Sequence, residues 1–303
     1  MLGRMLPRIL GGSRAVAAGL SPTVARRRSL PAALGTALLL IAGCLAGAAV
    51  QPTAASATPQ SYTTIGKGGD SCTAPSTSQM QAFWTNTPFL VWGIYIGGID
   101  RACSQPNLTK SWVTTVTNEG WALLPLWVGP QNPCLSGFDH FSTNTSTAYS
   151  QGQTEAKSAY NALIALGMAA NSPVIYDMEA GGSNTTTCIN ATKAFVQGWT
   201  DQLAVAPAQP SGIYTSTCAG FLDDFASNSP PPNFIDGADY DGVISTSSMP
   251  CVSTSHWTNH QRHKQYAGGH NETWNGVTLN IDSTCSNGPA VANGAYNGNN
   301  GCL

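Results

Sequence analysis

Positive charge is scarce in this chain. Only 13 of its 303 residues are Lys or Arg, against 15 Asp or Glu. Six of those cations (Arg4, Arg8, Arg14, Arg26, Arg27 and Arg28) fall within the first 57 residues, which carry no acid. The rest of the chain is left with seven basic and fifteen acidic side chains, so the formal charge moves from −2 to −8. So few cations cannot neutralise a row of phosphates, which argues against nucleic acid and against anionic lipid surfaces. A neutral or polar ligand is expected instead.

Several motifs are missing as well. No two cysteines stand at C-x-x-C spacing, so a zinc or redox site made from them is not expected. There is no G-x-S-x-G elbow of a serine hydrolase, no G-x-G-x-x-G and no phosphate loop, and no cofactor is implied. Four of the five histidines (His256, His260, His263 and His270) fall within fifteen residues, at spacings that would suit metal ligands on a helix. Trp257, Gly268, Gly269 and the strand-like "KQY" break any such helix, so no metal site is expected.

What is present begins with an arginine-bearing start, the apolar run "LPAALGTALLLIAGCLAGAAV", and the small residues "ASA" ending at Ala57. This is the three-part pattern of a bacterial export signal, so residues 1–57 are expected to be a leader and residues 58–303 one domain, secreted and acting as a monomer. "ARRRSLP" partly matches a twin-arginine signal, leaving that route and the general secretory one both open. "IAGC", ending at Cys44, resembles a lipobox, which makes a lipid anchor an alternative to cleavage, and the apolar run is about long enough to span a bilayer. Beyond the leader stand eight cysteines, an even count that in an exported chain reads as up to four disulfides. Their pairing is not legible. Their even spread suggests staples on successive loops.

Short apolar runs alternate with stretches of helical spacing. "TTIGKGGD" (Thr63 to Asp70), "FLVWGIYIGG" (Phe89 to Gly98), "WALLPLWVG" (Trp121 to Gly129), "SPVIYDME" (Ser172 to Glu179) and "PSGIYTS" (Pro210 to Ser216) are the clearest strands. "DGVIS" (Asp241 to Ser245), "RHKQYAGG" (Arg262 to Gly269) and "GVTLNIDS" (Gly276 to Ser283) are weaker ones. Helical periodicity starts at Ser76, Leu108, Thr147, Thr186 and Ser216. Strands that are apolar throughout are buried on both faces, as parallel strands are. Eight strand units in a chain of this length fit an α/β (β/α)₈ TIM-type barrel, irregular in its last units where no helix is legible, with a doubly wound open sheet as the alternative.

The chemistry concentrates in "SPVIYDMEAGG" (Ser172 to Gly182). Residues two apart in a strand point the same way, about 6.6 Å apart, so Asp177 and Glu179 would share a face. At the end of the fourth strand that face opens at the carboxyl end of the barrel, where this architecture builds its sites. Two acids so close, beside an apolar run, raise the pKa of at least one. A protonated Glu179 beside an ionised Asp177 suits cleavage of a glycosidic bond: one protonates the leaving oxygen, the other supports the positive charge at the sugar or positions its N-acetyl group. The plain alternative has Asp177 capping a helix and Glu179 solvated. Asp70, Tyr214, Gln265, Tyr266 and Asp282 also stand at or near strand ends, and together they predict a ring of acids and aromatics around a sugar cleft. Trp92, Trp127, Trp257 and Trp274 are candidates for stacking, although half or more are expected in the core.

In order and spacing, "GGDSCTAPS", "VWGIYIGG", "GWALLPLWVG", "VIYDMEA" and "GIYTS" resemble the glycoside-hydrolase-like barrel domain of secreted actinobacterial proteins, domain-of-unknown-function family 1906, over Thr63 to Ser283. That family is in turn similar to the muramidases of glycoside hydrolase family 25. The resemblance implies Glu179 as proton donor, Asp177 as the carboxylate assisting the N-acetyl group, Asp70 and Asp282 as the acids of the first and last strands, and Tyr214 as a substrate-contacting aromatic. "KGGD" departs from the pattern, which has an apolar residue before that first aspartate. The expectation is a glycosidase acting on peptidoglycan or another N-acetylhexosamine polymer. The alternative is a glycan-binding module that has kept the cleft and lost turnover.

Overall fold

The computed structural model describes residues 57–180, 185–298 and 302. The expected leader up to residue 56, with Cys44, and the pair Gly181 and Gly182 lie outside the described residues. Runs rich in β-branched and aromatic residues form β1 (Gln60–Asp70), β2 (Val91–Gly97), β3 (Ala122–Trp127), β4 (Val174–Asp177), β5 (Ser211–Ser216), β6 (Phe234–Ala238), β7 (Arg262–Trp274) and β8 (Val277–Ala292), with a short β9 (Tyr296–Asn297) beside β1. Each strand pairs with the next and β8 returns to β1, which closes an eight-stranded barrel. Successive residues enter two layers. Val91, Ile175 and Phe234 fill the barrel interior, whereas their neighbours Trp92, Tyr176 and Ile235 join the outer core beneath the helices.

Helices α1 (Thr77–Asn86), α2 (Lys110–Glu119), α3 (Thr145–Ala165) and α4 (Thr186–Leu203) occupy the first four crossovers. Each starts where a polar side chain accepts a backbone N–H of its first turn: Ser76, Thr109, Asn144 and Thr185. Helices α3 and α4 touch at reciprocal glycines, since a Cβ at Gly152 would stand 2.1 Å from the Phe195 carbonyl oxygen and one at Gly198 would stand 2.0 Å from that of Tyr149. From α4, Phe195 and Trp199 stack edge-on against Tyr176, with centroids 5.0 Å away in each case, which holds the end of β4. Gly198→Ala is therefore expected to cost about 1–3 kcal/mol and lower the melting temperature by several degrees in a thermal scan. An unchanged melting temperature would show that the helices can part freely.

The second half departs from the regular repeat. "DGVIS" is not a strand; the sixth strand is "FIDGA", which the triple proline before it had disguised as loop. "FIDGA" sends Phe234 and Asp236 inward and Ile235 outward, so both its faces are used, whereas Asp241 of "DGVIS" bends back to the Lys264 ammonium at 2.8 Å. The helix expected from Ser216 shrinks to one 3₁₀ stretch, Leu222–Ser227. Between β7 and β8 there is only the turn Asn275-Gly276, both residues at positive φ as a tight hairpin requires. β8 consequently runs antiparallel to both its neighbours, so seven strands rather than eight are parallel.

Among the described residues four disulfides form, and three stand at the carboxyl end of the barrel: Cys72–Cys103 and Cys218–Cys251 between loops, and Cys134 to Cys188 in the first turn of α4. The fourth, Cys285–Cys302, fastens the end of the chain to β8.

Candidate functional site

Five carboxyl groups converge at the mouth of the barrel. Asp70 ends β1, Asp177 ends β4 with Glu179 two residues on, and Asp236 lies on β6. Asp282 reaches the same level because the antiparallel β8 places it directly opposite Asp70. Gly93 of β2 makes room for this, since a Cβ there would stand 2.6 Å from that of Asp70.

Gln265 of β7 is the hub of the arrangement. Its Nε2 donates to Asp70 Oδ2 at 3.0 Å and to Asp282 Oδ2 at 3.2 Å, while its Oε1 accepts from the hydroxyls of Tyr214 and Tyr240, each at 2.9 Å. Tyr95 of β2 donates its hydroxyl to Asp70 Oδ1 at 3.0 Å. On the other side Gln131, wholly buried, joins the loops after β3 and β4. It donates to the carbonyls of Gly129 and Asp177 and accepts from the Glu179 backbone N–H at 2.7 Å. The backbone that presents the two β4 acids is thus held by an amide with no charge of its own.

Burial raises the pKa of every acid in the ring. Asp70 is pushed up to about 7, by burial first and then by the charge of Asp282, although the donors Gln265 and Tyr95 pull the other way. Asp236 is pushed up to about 8 by burial and by Asp70. Asp177 is held well above the usual carboxylate range, by burial and then by Glu179, Asp70, Asp236 and Asp282 in turn. Glu179 is raised by burial and by Asp282, and Asp282 by burial, with the Gly269 backbone N–H and then His270 opposing. Among the described residues no Lys or Arg pairs with any of the five. So many acids without cations cannot all ionise, and near neutral pH the ring holds protons ready to give. Asp177 Oδ1 and Asp236 Oδ1 are buried without a hydrogen-bond partner, so each can accept from an incoming hydroxyl or amide.

Of the residues expected from sequence, Asp70, Asp177, Glu179, Tyr214, Gln265 and Asp282 come together. Tyr266 does not join them: a bulge in the ladder after Gln265 turns its hydroxyl to Ser283, beside Glu272. The four histidines separate, His256 to Asp223, His260 to Asn287, His263 into the barrel against Ser286, and His270 to the β7–β8 hairpin. Trp92 and Trp257 are core, Trp127 donates to Glu155, and Trp274 donates to Glu272. The aromatics of the mouth are tyrosines instead. Asp236, Tyr95, Gln131 and Tyr240 were not among the expected residues. "FIDGA" did carry a signal for Asp236, because it repeats the acid-after-apolar pattern of "VIYDMEA". Gln131 and Tyr240 lie on loops, where sequence periodicity says nothing.

A profile described as "Rv2525c-like, glycoside hydrolase-like domain" matches residues 81–285. No curated protein is matched by the sequence. Among solved structures, an uncharacterised protein of B. stearothermophilus is similar at 16% identity and a TM-score of 0.50, covering 73% of this chain and 95% of that one. The Mycobacterium tuberculosis Tat-secreted protein Rv2525c, in complex with L-tartrate, aligns at 11% identity and a TM-score of 0.48, over 73% of this chain and 95% of that one. A family 25 glycosyl hydrolase from Bacillus anthracis aligns at 13% identity and a TM-score of 0.42, over 73% and 88%. At such identities a likeness speaks for the fold alone.

Proposed function

Because this chain belongs to the Rv2525c-like family of glycoside hydrolase-like domains, we propose that it is secreted and hydrolyses glycosidic bonds in a cell-envelope glycan, peptidoglycan or another N-acetylhexosamine polymer. The observation that carries this reading is the ring of five cation-free acids at the barrel mouth, two of them with a buried oxygen awaiting a donor. In the reaction, Glu179 gives its proton to the glycosidic oxygen as the bond from that oxygen to the sugar carbon breaks. Asp177 steadies the N-acetyl group and the positive charge left on the sugar, and water then adds to that carbon as its proton returns to the Glu179 carboxylate. Asp70 and Asp282, tied to each other through Gln265, bind sugar hydroxyls. Four disulfides suit an oxidising compartment, which supports export.

Tyr240 supplies the stacking surface that the tryptophans do not. It is 59% exposed, its hydroxyl is tethered to Gln265, and one face of its ring lies over Gly268, whose missing Cβ would stand 3.1 Å away. The other face is open to a sugar ring. Tyr240→Ala is expected to raise KM, or weaken sedimentation with insoluble peptidoglycan, by about five- to tenfold. Tyr240→Phe, which keeps the ring, is expected to retain most of the affinity. Equal losses in the two variants would assign the effect to the tether.

The deciding experiment is release of reducing ends from purified peptidoglycan and from chitin oligomers across pH. Release establishes the enzyme. Silence with retained sedimentation establishes a glycan-binding module.

A further inference from the structure

The crossover from β6 to β7 carries no helix, so the outer wall of the barrel there is covered by the irregular segment 239–261. Beneath that segment lies Arg262, only 7% exposed. His263 faces the interior, edge-on to Phe234, so Arg262 faces outward together with Asn287, its partner across the ladder.

The Arg262 guanidinium donates only to neutral carbonyls: Nε and Nη2 to His256, Nη2 also to Ser253, and Nη1 to Thr246 at a long 3.4 Å. One N–H of Nη1 is left over. Among the described residues no carboxylate lies within ion-pair distance of it. The acid whose charge it feels, Asp223, accepts instead from His256 and from the Ser253 backbone N–H. A buried cation left without a contacting counter-ion is costly unless something else supplies one. Beside it opens a pocket of about 250 Å³, lined by Arg262, Thr246, Thr254, Thr258, His260 and Asn287 and by no acid. His260 Nδ1 donates to Asn287 Oδ1, which leaves the Asn287 amide N–H groups for a ligand.

We propose that this pocket is a second, non-catalytic site that binds a phosphoryl group carried on a sugar or polyol. A guanidinium, hydroxyls and a side-chain amide offer more donors than a two-oxygen carboxylate can accept, and a phosphoryl group with three oxygens meets them better. The space beyond the guanidinium seats the esterified portion. In a protein whose charge is otherwise acidic, this is the one place described where a cation is buried without an acid in contact.

The test is isothermal titration of the whole protein with glucose 6-phosphate, inorganic phosphate and glucose. Glucose 6-phosphate is expected to bind, inorganic phosphate to bind at least as detectably as a bare anion, and glucose to give no heat. Arg262→Gln would also release segment 239–261, so the variant of choice is Thr254→Val with Thr258→Val, which removes two donors from exposed positions. It is expected to weaken phosphate-ester binding at least about tenfold, a change of about 1.4 kcal/mol. Glu179→Gln, at the other end of the barrel, is expected to bind as the native protein does. No heat from either phosphate at about 10 mM, well above ordinary ligand affinities, overturns the proposal. So does undiminished binding by the double threonine variant.

Discussion

Replacing Glu179 by Gln is expected to reduce the release of reducing ends from peptidoglycan by about 10³-fold, within the range that general acid catalysis contributes, while sedimentation with the polymer changes by less than about twofold. The amide keeps the size of the side chain and cannot give up a proton. It leaves the backbone clamp untouched, because Gln131 grips the Glu179 N–H and the Asp177 carbonyl rather than either carboxyl group. A fall in activity with intact binding therefore reports the proton and not the scaffold. The sign of the pH dependence follows from the same geometry. Burial and Asp282 raise the pKa of Glu179, so the acid stays loaded above the ordinary carboxylate range, and the rate is lost as pH rises through that elevated value. Asp177→Asn is expected to lower the rate as well, whereas Asp282→Asn is expected to move that alkaline limb to lower pH, since the neighbouring charge that raises the pKa of Glu179 is then gone. If Glu179→Gln is as active as the native protein, the proton donor is another member of the ring, and Asp236 is the next to replace.

Asp236→Asn is expected to stabilise the fold at pH 8 by about 2–4 kcal/mol while making no difference near pH 4. In the folded chain Asp236 keeps its proton up to about pH 8, whereas the free side chain loses it near its ordinary value of 3.8. Between those limits the unfolded chain releases a proton that the folded one must hold. Stability therefore falls as pH rises from about 4 to about 8 and levels off above that. The variant has nothing to release at this position, so its melting temperature should decline less over the same interval. Asp70, pushed up to about 7, adds a decline of the same sign that the variant retains. Parallel melting curves for the two proteins from pH 4.5 to 8 would mean that water reaches Asp236 and that its burial is nominal. A gain in stability accompanied by weaker glycan binding would mark the ring as strain kept for function.

The barrel was legible because its chemistry is local. "VWGIYIG", "ALLPLW" and "VIYD" are apolar on both faces and too short to be helices, and a polar cap precedes each of α1 to α4. The D-x-E of "VIYDMEA" was legible for the same reason, although β4 ends at Asp177, short of the expected strand end at Glu179, and the loop after it presents Glu179. The family match over residues 81–285 takes in four of the five motifs that carried the resemblance. The second half resisted because its information is not periodic. "FIDGA" is as short as a loop, its proline-rich approach looks like one, and the Asn275-Gly276 turn reverses the last strand where a helix was sought.

Tertiary structure alone decided which polar groups meet. Gln265 and Asp70 are 195 residues apart in sequence and hydrogen-bonded in space, and Asp282 lies opposite Asp70 only because β8 runs backward. The pairing of the eight cysteines depended on which loops the closed barrel set side by side. Local sequence determined the strands, the first four helices and one pair of acids, because propensity and periodicity act over a few residues. Closure of the barrel made five acids into one site, because burial and mutual repulsion act only between groups the fold has already brought together.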